Sequence, residues 1–339
     1  MNKLYFNKEL FNEFANSYQK FKVNPSKYWN EYVNMVLDEI DKDGLNGFGS
    51  VYNLTRGFGD AMTYPKRPKI RSILKLPFLF KPVEKFLANR NQNKKSKTVF
   101  ALSKDFFTQK NLIEKISTEL DTVTENLAVN RFNYINGNKV PWRYLQAFAY
   151  IELFALMLNK DSNDLTFKDL FDGNTMDIGG GYGPVADTLH TFKEINAIGK
   201  SSINYQLEQF PVSFIANQYL EYRHKGKVLK PILFSDNNEI STENYEQNFR
   251  IIQSSISNKI QNLGIRFFFN SNSFQEMDKE QVEEYVEFMN NNKSDKSYLA
   301  CFYYNTGAGD NKKSQVWHSS KGSIHASIDL FNSEFSLVD

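Results

Sequence analysis

The stretch MDIGGGYGPVAD, residues 176–187, decides how this chain is read. Four glycines fall within the five positions 179–183, behind an aspartate flanked by the apolar Met176 and Ile178. Glycines accept positive φ and let backbone come close to a ligand. Pro184 follows at once, and its fixed φ and missing N–H suit the first turn of a helix. The pattern is a strand ending at Ile178, a tight turn, and a helix from about Pro184.

Several ligand loops share this general form. A phosphate loop needs Lys followed by Ser or Thr after its last glycine, and here Pro184 and Val185 stand there. A dinucleotide loop counted from Gly179 would put the ring of Pro184 where a third small residue lets helix and strand pack closely. The pattern Asp-x-Gly-x-Gly-x-Gly fits without exception through Asp177, Gly179, Gly181 and Gly183. A purely structural glycine turn is the competing reading, and the strand–turn–helix context weighs against it.

On these residues the chain resembles the class I S-adenosylmethionine-dependent methyltransferases. The resemblance implies that Asp177 helps to hold the amino-acid end of the methyl donor, with Gly179, Gly181, Tyr182 and Gly183 lying against it. It also implies a second acid at the end of the next strand, for the ribose hydroxyls. INYQLEQFP, residues 203–211, alternates Ile203, Tyr205 and Leu207 and then presents Glu208. The following strand, FRIIQS, brings Gln253 and Ser254 towards the adenine, and Asn270 at the end of the fourth strand completes the expected donor set. Three segments, INGNKVPWRYLQAFAYIELF, EQFPVSFIANQYL and FFFNSNSFQEM, are similar to a group of sugar O-methyltransferases. Asp is usual in that group where Glu208 stands, and Pro211 comes one residue late; a glutamate can still accept both ribose hydrogen bonds. The likeness covers about 130–305.

Methyl transfer to a sugar hydroxyl is an in-line displacement in which alignment matters and a base must take the hydroxyl proton. Open parallel sheets bind ligands beyond the carboxyl ends of their strands. That rule places Asn272 and Ser273 on the acceptor side, with Glu276 as the leading base and His318 as the second candidate. Ser273-Phe274-Gln275-Glu276 is also the spacing of a capping box, so Glu276 serves a helix start, the chemistry, or both. His190 reads as a packing or surface residue, His224 as exposed and His325 as structural. Some sugar methyltransferases use a divalent ion. Here no His/Cys cluster has zinc spacing and no carboxylate constellation calls for a metal.

Composition bounds the rest. The chain has 339 residues, a net charge of +2 and 15% aromatics, thirty of them Phe. It is large enough for a sizeable core and too evenly charged for a dedicated nucleic-acid protein. Cys301 is the only cysteine, which excludes an internal disulfide and fits a reducing compartment. Its surroundings, SYLACFYY, read as a buried strand, so it is a packing thiol. The longest apolar run, residues 147–158, is twelve residues long and contains Glu152, well short of the roughly twenty that span a membrane. A soluble, cytoplasmic protein is expected.

The first half is periodic at helical spacing in residues 7–21, 26–42, 107–128 and 141–158, with Pro141 opening the last helix after a turn. Between them, residues 65–97 hold eleven Lys or Arg against one acid. That stretch is either a solvated arm or a contact for a phosphate-bearing sugar or glycoconjugate acceptor, or for an anionic membrane surface. Beyond about residue 170, strand candidates alternate with helices, which means a mostly parallel sheet with helices on both faces. The expectation is an α/β protein: a helical, substrate-side region over 1–165 and a Rossmann-like methyltransferase domain over 166–339. The reaction expected is O-methylation of a sugar for surface polysaccharide or glycoconjugate. The alternatives are a small-molecule or natural-product acceptor and a binding protein that keeps the fold without turnover; a nicotinamide enzyme is a more distant rival.

Overall fold

Every strand candidate of the second half forms a strand, and the five make one sheet in a computed structural model of the chain. The structure describes residues 4–20, 27–46, 48, 110–127, 129, 132–135, 137–161, 172–194, 203–233, 248–271, 273–274, 277 and 279–302. The basic stretch 65–97, Asn272, Glu276, His318 and His325 lie outside them. The chain divides into two compact units, one of Met1–Lys3 with Gly47–Glu152 and one of Leu4–Asn46 with Leu153–Asp339.

The smaller unit contains α3 (Lys110–Asn126) and a two-stranded hairpin, β1 (Phe132–Ile135) and β2 (Asn138–Pro141). Gly137 turns the hairpin at φ +90°. The hairpin is tied to α3 by side chains: Asp121 accepts the Lys139 amide at 2.9 Å, and Thr124 donates to the Lys139 carbonyl at 3.0 Å. Sequence reading expected only a turn here and a helix opening at Pro141. Pro141 instead ends β2, and α4 (Trp142–Asp161) opens one residue later. Strands of four residues are too short for their alternation to register in sequence.

The larger unit contains α1 (Lys8–Lys20), α2 (Lys27–Asp43) and the sheet. Its strands are β3 (Asn174–Ile178), β4 (Asn204–Glu208), β5 (Phe249–Gln253), β6 (Ile265–Ser271) and β7 (Lys293–Phe302). All pairs are parallel, in the order β5-β4-β3-β6-β7. That is the order 3-2-1-4-5 of a Rossmann-like sheet, with its switch point between the first strand and the fourth. The connections include α5 (Pro184–Glu194), α6 (Val212–Arg223), a 3-10 turn (Ser254–Lys259) and α7 (Lys279–Asn292). Among the described residues no helix is long and apolar enough to cross a membrane.

Alternation along the strands gives the sheet two unlike faces. Met176, Ile178, Leu207, Ile252 and Phe268 form one apolar core with Val282, Val286 and Met289 of α7. Cys301 on β7 is half-buried against this core, as a packing thiol should be. The register puts Thr175, Asp177, Asn204, Gln206, Glu208 and Gln253 on the opposite face. There Phe154 packs edge-on against Phe267 and Phe269, and Lys193 of α5 reaches Asn204 at 3.1 Å. Helices therefore cover both faces.

Helix α1 is knitted onto this unit by aromatic contacts. Phe11 meets Phe210 and Phe214 at 5.4 and 5.1 Å, Phe14 meets Phe214 at 5.9 Å, and Tyr18 meets Phe210 at 5.5 Å. Gln253 donates to the Phe14 carbonyl at 3.0 Å, and the Asn7 amide donates to Gln218 at 3.3 Å. Phe14 is fully buried. Replacing Phe14 with Ala should cost about 3–5 kcal/mol through lost burial and the remaining cavity. Urea unfolding followed by circular dichroism checks this; a loss under about 1 kcal/mol would mean that α1 is not part of the core.

Candidate functional site

The carboxyl end of β3 turns into α5 through residues 179–183. Gly179, Gly181 and Gly183 have φ of +67°, +65° and +98°, the left-handed region that disfavours any side chain. Space excludes side chains as well. A Cβ on Gly179 would collide with the side chain of Ser273, one on Gly180 with the carboxylate of Asp177, and one on Gly183 would sit 2.8 Å from Gln206 Oε1. The glycines of the motif are thus required by backbone geometry and by close approach together.

The neighbouring strand pins the turn. Glu208 Oε2 accepts the Gly181 amide at 2.9 Å, and Oε1 accepts the Gln209 amide at 2.9 Å. The side-chain amide of Gln206 donates to the Gly181 carbonyl. On the other side of β3, Asn270 donates to the Ile178 carbonyl at 2.9 Å and to Ser273, whose hydroxyl also donates to Ile178 at 3.1 Å. Asn270 and Ser273 are both buried. Tyr182 is buried edge-on against Tyr219 at 4.9 Å, packing the loop onto α6.

Asp177 and Glu208 are 3% and 4% exposed. Neither oxygen of Asp177 has a hydrogen-bond partner among the described residues. Burial, with the nearby Glu208 carboxylate adding to it, pushes the Asp177 carboxyl up to about 8. A buried carboxyl directly beneath a glycine turn, with no donor of its own, is prepared for a cationic or hydrogen-bond-donating ligand. Glu208 thus uses each of its oxygens to hold a backbone amide.

Beside Gln209 lies a small cleft of about 20 Å³. It is lined by Tyr18 from α1, Gln209, Ser254, Ser255, Gln281 and Tyr285, among others. The Tyr18 hydroxyl, Gln209 Oε1 and Ser255 hydroxyl are buried without a hydrogen-bond partner among the described residues. Burial raises the Tyr18 phenol, so it stays a neutral donor. Gln253 is fully buried and anchors α1, whereas Ser254 lines the cleft. Sequence reasoning missed Gln206, Gln209 and Tyr18; only Gln206 and Gln209, which flank the acid at the end of β4, carried a local signal. The expected exposure of His224 is overturned. Its ring is 7% exposed and held by Asp187 at 2.7 Å.

The fold and the site together define a Rossmann-like α/β protein with a glycine turn and two buried acids at the carboxyl ends of β3 and β4. No family model matches the chain, and no curated protein matches it. Among solved structures it is similar to the mitomycin 7-O-methyltransferase MmcR, at 16% identity and a TM-score of 0.28. The match takes in 47% of this chain and 38% of that one, so the chain spans well under half of that protein's length. A likeness of that size assigns no activity.

The raised carboxyl of Asp177 links stability to pH. A group whose folded pKa lies above its unfolded value near 4 stabilises fully below about pH 4, and that stabilisation is lost as pH rises through about 8. Asp177→Asn should therefore raise Tm relative to the parent, by a margin that grows from pH 5 to pH 8. Melting curves across that range check this; a constant difference would show that Asp177 is not buried as the acid.

Proposed function

We propose that the protein binds S-adenosylmethionine and transfers its methyl group to a hydroxyl oxygen of a sugar. The observation carrying this reading is the pair of buried acids at adjoining strand ends, Asp177 without a partner and Glu208 on the glycine turn. Asp177 fits the ammonium of the donor's amino-acid part, whose charge would return the carboxyl to its ionised form. Glu208 fits the two ribose hydroxyls. The cleft behind it offers Tyr18, Gln209 and Ser255, with donors and acceptors for the edge of a purine. The left-handed glycines leave backbone bare where the donor would lie.

The bound donor supplies an electrophilic methyl on a cationic sulfur. The protein's part is to orient the two reactants and to take the acceptor's proton. Glu276, on the segment after β6, is proposed as the base, with His318 as the second candidate. Asn272 is proposed to hold the acceptor. Ser273, already bonded to Ile178 and Asn270, is proposed to set the position of that segment. The acceptor is proposed to be a sugar or glycoconjugate of surface polysaccharide assembly, made in the cytoplasm.

Calorimetry with S-adenosylmethionine and with its demethylated product should show saturable binding, followed by product formation on a panel of sugar and non-sugar hydroxyl acceptors. Glu208→Ala should weaken donor binding about tenfold or more, the scale of hydrogen bonds to a charged group. Donor binding unchanged by Glu208→Ala would refute the ribose role, and no binding at all would refute the whole reading. Binding without turnover on any acceptor would leave a binding protein.

If the basic stretch meets a phosphate on the acceptor, replacing Lys66, Arg67, Lys69 and Arg71 together by Ala should raise acceptor KM several-fold at low salt while kcat holds. An unchanged KM removes the phosphate-bearing acceptor.

A further inference from the structure

Away from the glycine turn, helices α5 and α6 bring three metal-ligating side chains together. His190 and Glu194 stand four residues apart on α5 and so share a face of the helix. His224 follows the last residue of α6. One ligand atom from each lies within 4.8 Å of the other two. His190 Nε2 is 3.1 Å from Glu194 Oε1, and the two imidazole centroids are 4.5 Å apart. We propose that His190, Glu194 and His224 bind a first-row divalent cation of the zinc type, which clasps α5 to the end of α6.

Three further observations support the site. His190 is fully buried and directs its Nε2 towards Glu194. His224 is already oriented as zinc-bound histidines are, by a carboxylate on one nitrogen: Asp187 Oδ1 lies 2.7 Å from Nε2. Asp187 is itself fixed by Arg223, at 2.9 and 3.4 Å. Glu194, with a side chain 43% exposed, gives an ion a route in and leaves a position for water.

Ligand bonds of about 2.0–2.1 Å need the three groups to draw closer. The freedom of Glu194 and small rotations of the rings allow it.

Two imidazoles and one carboxylate suit Zn²⁺, with Co²⁺ as its spectroscopic stand-in, over Mg²⁺ or Ca²⁺, which prefer oxygen. The site lies on α5 and α6 near the start of β5, where Phe249 packs against both histidines at 4.5 and 5.0 Å. That is the end of the sheet opposite the glycine turn, so the metal's role is structural and does not depend on the methyl-transfer reading.

The test uses the full-length protein, stripped with a chelator and titrated with Co²⁺ by visible absorption and with Zn²⁺ by calorimetry. One ion per chain is expected, with the intense ligand-field bands of low-symmetry four-coordinate Co²⁺ and a Tm that rises with bound Zn²⁺. Glu194→Gln, at an exposed side chain, should weaken binding at least about tenfold, and His224→Gln should abolish it. A His318→Ala/His325→Ala double variant should bind as the parent does. No saturable binding, affinity unchanged in Glu194→Gln and His224→Gln, or loss in the double variant would each overturn the site. If His224→Gln fails to fold, Glu194→Gln alone decides.

Discussion

The reversal at the end of β3 is the constraint on which the rest of the site depends. A parallel strand must stop, turn back and begin a helix within five residues, which three left-handed glycines make possible. Holding that turn then falls to its neighbours. Gln206 and Glu208 grip Gly181 from β4, while Asn270 and Ser273 grip the Ile178 carbonyl from β6. Parallel register makes this arrangement unavoidable, because Ile178 is level with Leu207 and Asn270, and Glu208 with Gln253. Strand ends that share one level must share one ligand-binding edge.

What was legible in sequence follows from this. Left-handed backbone and close approach demand glycine, and no other residue leaves so plain a mark. Asp177 was legible from its place ahead of the glycines, and Glu208 from the apolar alternation that it ends. Strands β3 to β6 showed in the sequence because both of their faces are mostly buried. Contacts that cross long stretches of chain left no such mark. Gln253 meets Phe14 across 239 positions, and Tyr18 reaches the cleft only because α1 docks on Phe210 and Phe214. Ser273 likewise donates to the Ile178 carbonyl across 95 positions, a contact that its local spacing did not show.

Burying Asp177 beside Glu208 is unfavourable for the empty protein. Burial opposes ionisation of Asp177, and the nearby Glu208 carboxylate adds to it. Glu208 offsets its share with two backbone amides, whereas Asp177 has none. A protein selected only for stability would carry a neutral or apolar residue at position 177. Retaining an acid under a turn with no room for side chains is the kind of local conflict that marks a binding site. A ligand with a positive charge and several hydroxyls removes both penalties at once.

The helix that begins at this turn has unusual anchoring along its length. The Asp187 amide bonds to the Gly183 carbonyl, which joins the first turn of α5 to the last glycine, while the Asp187 side chain bonds to Arg223 and His224 at the end of α6. A buried carboxylate held by two partners adds little net stability, because desolvation offsets much of the attraction. Removing one partner leaves a charge without compensation, so the cost of any other packing is high. The network thus fixes where α5 sits more than how strongly the protein folds. Since α5 carries the glycine turn at its start, a fixed helix keeps Gly181 facing Glu208. The ion network between two helices and the ligand cradle at the strand ends are in that sense one mechanical unit.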